Sequence, residues 1–169
     1  MSVLPNIVLV GFMGTGKSSA GRVLAERLGM TFIDMDEEIV RREGCSIPDI
    51  FRDRGEAAFR ALERALVVEL AGQTGLVIST GGGIVLNPDN LRDFAVGGRV
   101  FCLKAKPETI LARVAQDTNR PLLQGEDRLA KISDLLARRQ LLYDAIPEQV
   151  DTEGHRPADT AEAILARLR

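Results

Sequence analysis

Eight consecutive residues constrain this chain more than any other feature: Gly11-Phe12-Met13-Gly14-Thr15-Gly16-Lys17-Ser18. They complete the pattern G-x-x-x-x-G-K-[ST], and their surroundings suit it. Ile7–Phe12 is apolar, mostly β-branched and too short for a helix. Lys17–Leu28 then places Ala20, Val23, Leu24 and Leu28 at helical spacing, and Gly29 stands where a helix stops. A strand, a glycine-rich turn and a helix N-terminus together form a concave nest of backbone N–H groups, which holds phosphate oxygens. Gly14, Thr15, Gly16, Lys17, Ser18 and Ser19 are therefore the expected nucleotide contacts. Lys17 can reach the β- and γ-phosphates, and Ser18 can offer its hydroxyl to Mg²⁺.

The rest of the chain alternates in the same way. Short apolar runs at Thr31–Ile33, Leu76–Thr80, Arg99–Lys104 and Gln149–Thr152 read as further strands. Between them, Ile39–Leu70 holds one or two helices, broken near Ser46-Ile47-Pro48 and around Gly55. Pro88–Phe94, Pro107–Ala115, Asp127–Tyr143 and Ala158–Leu168 read as helices. This order predicts an α/β fold, a five-stranded parallel sheet with helices on both faces, in a single domain spanning 1–169. In such sheets ligands lie beyond the carboxyl ends of the strands. A net charge of −2 over 169 residues argues against a nucleic-acid or membrane surface. The opening Met-Ser-Val-Leu-Pro lacks the pattern of a signal peptide. Cys45 and Cys102 read as free thiols in a reducing compartment, so a cytoplasmic location is expected.

The remaining candidates lie where strands end. Asp34 and Asp36, two apart at a strand end, are expected to point to one side. Paired carboxylates there need a cation or an arginine nearby, or else Asp36 simply caps the following helix. Gly81-Gly82-Gly83 after the third strand permits close approach of a ligand to the backbone, or only a tight turn. Arg60 and Arg139 suit a carboxylate, which guanidinium groups grip with two parallel bonds. The polar stretch from Asp117 to Asp127 has the length of a closing loop, on which Arg120 could travel to a transferring phosphoryl group.

Taken together these residues resemble the shikimate kinase family over nearly the whole chain. The phosphate loop, Asp34-x-Asp36, Phe59-Arg60, Gly81–Gly83, Asn119-Arg120-Pro121-Leu122-Leu123 and Arg139-x-x-x-Tyr143 follow that family's order and spacing. The resemblance implies a nucleoside-monophosphate-kinase-like fold, with a substrate-binding region at about 34–61 and a lid at about 113–127. It implies ATP and shikimate as substrates, Mg²⁺ as cofactor, phosphoryl transfer to the 3-hydroxyl of shikimate on the route to chorismate and the aromatic amino acids, and a monomer. By carry-over, Asp36 binds the acceptor hydroxyls and can take the attacking proton, and Asp34 meets the metal through water or orients that hydroxyl. Arg60 and Arg139 hold the carboxylate with Gly81, Gly82 and Gly83, and Arg120 contacts both substrates. Arg113, Arg156 and Pro157 fall where the family encloses adenine. A gluconate kinase, a nucleoside-monophosphate kinase and a nucleotide-gated binding module are the competing readings.

Overall fold

Every strand of the computed structural model, which describes residues 3–115 and 127–169, falls within about two residues of a run read as extended. The chain runs β1 (Asn6–Val10), α1 (Lys17–Leu28), β2 (Thr31–Asp34), α2 (Met35–Glu43), α3 (Ile47–Arg54), α4 (Glu56–Ala71) and β3 (Leu76–Ser79). A 3₁₀ turn (Ile84–Leu86) follows, then α5 (Pro88–Gly97), β4 (Gly98–Lys104), α6 (Pro107–Val114), α7 (Arg128–Asp144), β5 (Glu148–Asp151) and α8 (Pro157–Leu168). The strands form one five-stranded sheet in the order β2-β3-β1-β4-β5, and every pairing is parallel. As read from the sequence, the fold is α/β with helices on both faces.

Side-chain alternation splits the core in two. Ile7 and Leu9 of β1, Val77 of β3 and Phe101 and Leu103 of β4 face one way, against Leu24 of α1 and Ile164 of α8. Val8, Val10, Ile78 and Cys102 face the other way, against Ile50, Phe59, Leu66, Phe94, Ile110 and Ile132. Leu9, Leu24 and Ile164 are fully shielded, and each such side chain contributes about 1.5–3 kcal/mol. Asn6 opens β1 as a buried polar clip. Its Nδ2 donates to Leu70 O at 3.3 Å and Gln73 O at 2.9 Å, and its Oδ1 accepts from Leu76 N at 3.0 Å. It thus ties the end of α4 and the start of β3 to the central strand. No helix among the described residues is long and apolar enough to cross a membrane.

Three local expectations need correction. The segment expected to hold one or two helices holds three. Gly44 closes α2 in the left-handed conformation, and the Ser46 side chain caps α3 by accepting from Asp49 N at 3.2 Å. Gly55, at φ 87° and ψ 166°, then separates α3 from α4. The first strand stops at Val10, because Gly11 (φ 146°) already turns into the phosphate loop. The cap of α2 is Asp34, not Asp36: the helix begins at Met35, and Asp34 Oδ1 accepts from Glu37 N at 3.1 Å. Of the expected lid, Arg113 lies in α6, while Arg120 and the stretch 116–126 lie outside the described residues.

Candidate active site

The phosphate loop joins the C-terminal end of β1 to α1 and lines a cleft of about 890 Å³. A Cβ on Gly11 would stand 2.2 Å from Leu103 O, so the loop lies hard against β4 and only glycine fits. Gly16 holds the left-handed conformation (φ 94°), with open space where its side chain would be. Thr15 is buried and donates to Phe12 O at 2.8 Å, which closes the turn. Lys17 curls over the loop, its Nζ donating to Gly11 O at 2.6 Å and Phe12 O at 3.0 Å. Those carbonyl contacts hold the ammonium at the mouth of the nest, where phosphate charge would accumulate.

Beside the loop, sheet register builds a cluster of oxygens. Asp34 pairs with Ser79 at the adjoining ends of β2 and β3. Ser18 Oγ, in the first turn of α1, donates to Asp34 Oδ2 at 2.5 Å and lies 3.0 Å from Ser79 Oγ. One carboxylate and two hydroxyls are hard donors of the kind Mg²⁺ accepts while keeping most of its waters. No group of three or more His, Cys, Asp or Glu side chains among the described residues forms a protein cage for a metal.

Asp36 reaches the cleft from the first turn of α2 and not, as expected, from a strand end alongside Asp34. The two carboxylates line the same cleft but serve different parts of it. Asp36 belongs to a second cluster, organised by the glycine triplet after β3. Thr80 anchors this turn, its N and Oγ1 donating to Leu9 O at 3.1 and 2.9 Å. A Cβ on Gly81 would lie 3.0 Å from Glu63 Oε2 and 3.1 Å from Asp36 Oδ1. One on Gly82 would lie 3.3 Å from Met13 N and 3.6 Å from Arg139 Nη1, and one on Gly83 would collide with the Arg60 guanidinium at 2.4 Å. Each missing side chain admits a different neighbour. Asp36, Arg60 and Arg139, 24 and 79 residues apart in succession, thus meet around one turn that also touches the phosphate loop.

Arg139 is 3% exposed, and its Nη1 is buried with no hydrogen-bond partner among the described residues; the same holds for Arg60 Nε. Buried guanidinium donors left in this way suit an anionic ligand. Glu63 is the residue that sequence reasoning missed. It lies one turn beyond Arg60 on α4, with Arg60 Nη1 at 3.2 Å from Oε1 and 3.4 Å from Oε2. Its side chain is only 2% exposed. Burial pushes its carboxyl up to about 7; the charge of Asp36 adds to this, and Arg60 opposes it without prevailing. The Arg60-x-x-Glu63 spacing was the one available sign, and such spacings are common on solvated helix faces.

At the far end of the cleft, Arg113 of α6 ties the phosphate loop to the segment after β5. Its Nη1 donates to Gly14 O and Thr152 Oγ1, both at 3.1 Å, and its Nη2 donates to Thr152 O at 3.0 Å. His155 lines this end, with Nδ1 3.3 Å from Thr160 Oγ1. Arg156 and Pro157 also line it and open α8, where Arg156 N donates to Asp159 Oδ2 at 2.9 Å. Ser19 lies exposed on the cleft wall. Cys45 and Cys102 are free, and burial raises the Cys102 thiol to about 11.

A parallel sheet carrying a complete phosphate loop, with a cluster of paired acidic and basic side chains opening beside it, defines a P-loop kinase acting on a small molecule. The family model for shikimate kinase matches residues 13–169. A shikimate kinase of Pelotomaculum thermopropionicum is 48% identical over 98% of this chain and 96% of its own. The structure titled "Shikimate kinase from Acinetobacter baumannii in complex with shikimate" superposes with a TM-score of 0.94 at 42% identity, covering 98% of this chain and 93% of that one. This chain belongs to the shikimate kinase family. A gluconokinase of Sinorhizobium meliloti, at 23% identity and a TM-score of 0.61, shares the fold alone over 99% of this chain and 95% of its own.

Proposed function

We propose that the chain transfers the γ-phosphoryl group of ATP to the 3-hydroxyl of shikimate, giving shikimate 3-phosphate and ADP on the route to chorismate and the aromatic amino acids. The observation that carries this reading is the meeting of Asp36, Arg60 and Arg139 around Gly81–Gly83, with Gly82 against Met13 of the phosphate loop. A small acid with several hydroxyls fits that arrangement: carboxylate on the two guanidinium groups, hydroxyl on Asp36.

In this mechanism the amides of Gly14 to Ser19 and the Lys17 ammonium hold the triphosphate and offset its charge. Ser18 and Asp34, the latter through water, would hold Mg²⁺, which when bound draws charge from the phosphate oxygens. Asp36 orients the acceptor hydroxyl and takes its proton as the hydroxyl oxygen bonds to the γ-phosphorus. The bond from that phosphorus to the oxygen bridging to the β-phosphate breaks, and ADP departs. Arg60 and Arg139, with Gly81, Gly82 and Gly83, fix the carboxylate, so the acceptor cannot rotate its other hydroxyls into line. Arg113, Arg156 and Pro157 border the base, and Arg120 would close with the lid at 113–127. Residues 34–61 supply the substrate-binding region of this single domain. The protein acts as a monomer in the cytoplasm, without nucleic acid or membrane.

The test is ADP release from MgATP with shikimate, gluconate, nucleoside monophosphates or water as acceptor. Shikimate gives turnover and the others little. Equal rates with gluconate overturn the substrate, and a rate indifferent to acceptor replaces the kinase with a nucleotide-gated binding module.

A further inference from the structure

We propose that Tyr143 is a positioning residue for the acceptor's carboxylate, acting through Gly82 and Arg139; this rests on the reading of the acceptor given above. Tyr143 follows Arg139 by four residues on α7, so the two side chains share a face, and both are 3% exposed. The Tyr143 hydroxyl donates to the Gly82 carbonyl oxygen. That carbonyl belongs to the glycine whose missing side chain leaves Arg139 Nη1 3.6 Å and Met13 N 3.3 Å from its ideal Cβ.

The bond has a geometric consequence. No peptide bond in the chain is cis among the described residues. In a trans peptide the carbonyl and the next amide N–H point in opposite directions. Holding the Gly82 carbonyl towards α7 therefore sets the direction of the Gly83 N–H, in a glycine turn otherwise held by the Thr80 anchor and by Ile84 N donating to Gly81 O at 3.2 Å. The tyrosine is itself held at three points. Gln149 Nε2 donates to Tyr143 O at 2.8 Å and to Ile146 O at 2.7 Å, pinning the end of α7. The ring packs in the core cluster of Val10, Phe12 and Cys102. The hydroxyl completes the contact to Gly82. Burial raises the phenol to about 12 even beside the Arg139 charge, so it remains a donor throughout the neutral range. A phenylalanine would fill the same core, so packing alone does not account for the hydroxyl.

The test is Tyr143→Phe in the full chain, assayed with MgATP against shikimate and against the same cyclohexene triol lacking the carboxylate. The KM for shikimate should rise about 10-fold, the size of one lost buried hydrogen bond, with the KM for ATP little changed. With the carboxylate-free acceptor, kcat/KM should be nearly the same in both proteins. The chain has one tyrosine and no tryptophan, so 3-fluorotyrosine incorporation reports on Tyr143 alone, whatever the folding yield of the variant. Its ¹⁹F resonance should shift on adding shikimate and stay still with the carboxylate-free triol. A lowered melting temperature with an unchanged KM for shikimate, or a ¹⁹F shift equal for both acceptors, overturns the proposal. A wild-type chain inert towards shikimate overturns the acceptor assignment itself.

Discussion

Glu63→Gln isolates the buried carboxyl that lies between Arg60 and Gly81. In the folded chain the Glu63 carboxyl is pushed up from 4.5 to about 7. A raised carboxyl binds its proton more tightly folded than unfolded, so between those two values the native state holds more protons than the unfolded state. The contribution of Glu63 to stability is then fully present below pH 4.5 and is lost as pH rises through 7. At about 1.4 kcal/mol per pH unit, the whole effect is about 3 kcal/mol, and about 2.5 kcal/mol of it is lost between pH 5 and 8. The side chain is 2% exposed, so solvent does little to screen it. Glutamine keeps the shape and cannot titrate. Urea unfolding of both proteins at pH 5, 6, 7 and 8 should show the wild type losing about 2.5 kcal/mol relative to Glu63→Gln over that span. Groups common to both proteins cancel in the difference. A stability difference that does not change with pH refutes the reasoning.

Asp36→Asn should lower kcat by about 10²–10⁴-fold, the range of a lost general base, while calorimetric ATP affinity changes little; collapse of ATP affinity would place Asp36 at the metal instead. Arg139→Ala and Arg60→Ala should each raise the acceptor KM by about 10–100-fold, the worth of a charged hydrogen bond. Steady-state kinetics at varied shikimate checks this, and an effect seen only in thermal melts would make the arginines structural. Gly83→Ala should raise the acceptor KM with little loss of melting temperature. Its new Cβ would displace the flexible end of Arg60, 2.4 Å away, rather than backbone; a large drop in melting temperature would show that the turn itself cannot take a side chain.

What the sequence disclosed was local. The phosphate loop was legible because its residues are neighbours, and the strand before it and helix after it follow from the adjacent hydrophobic pattern. Asp34 and Asp36 were found, but Asp36 was placed on the wrong element, because one residue decides between strand and helix there. With Asp34 serving as the cap of α2, Asp36 projects from the first turn of a helix and not along a strand. Arg60 and Arg139 were legible as residue types suited to a carboxylate. That they converge is a property of the sheet, which brings α4 and α7 to the same glycine turn. Glu63 was hidden for a related reason. It is one of 24 acidic residues, and only in the folded chain, with the Gly81 turn against α4, is its carboxylate out of water.

That placement also bears on the charge of the proposed acceptor site. Arg60 and Arg139 bring two positive charges, and Asp36 brings one negative. With Glu63 ionised these four side chains sum to zero and with Glu63 protonated to plus one, while Glu56, paired with Arg60 at 3.2 Å, is half exposed and screened by solvent. A carboxyl held at about 7 keeps both sums accessible at neutral pH. Removing Arg60 would leave Glu63 buried beside Asp36 without its main counter-charge, and its proton would be held more tightly still. Glu63 is thus the residue through which loss of one guanidinium is partly offset in the charge presented to the acceptor.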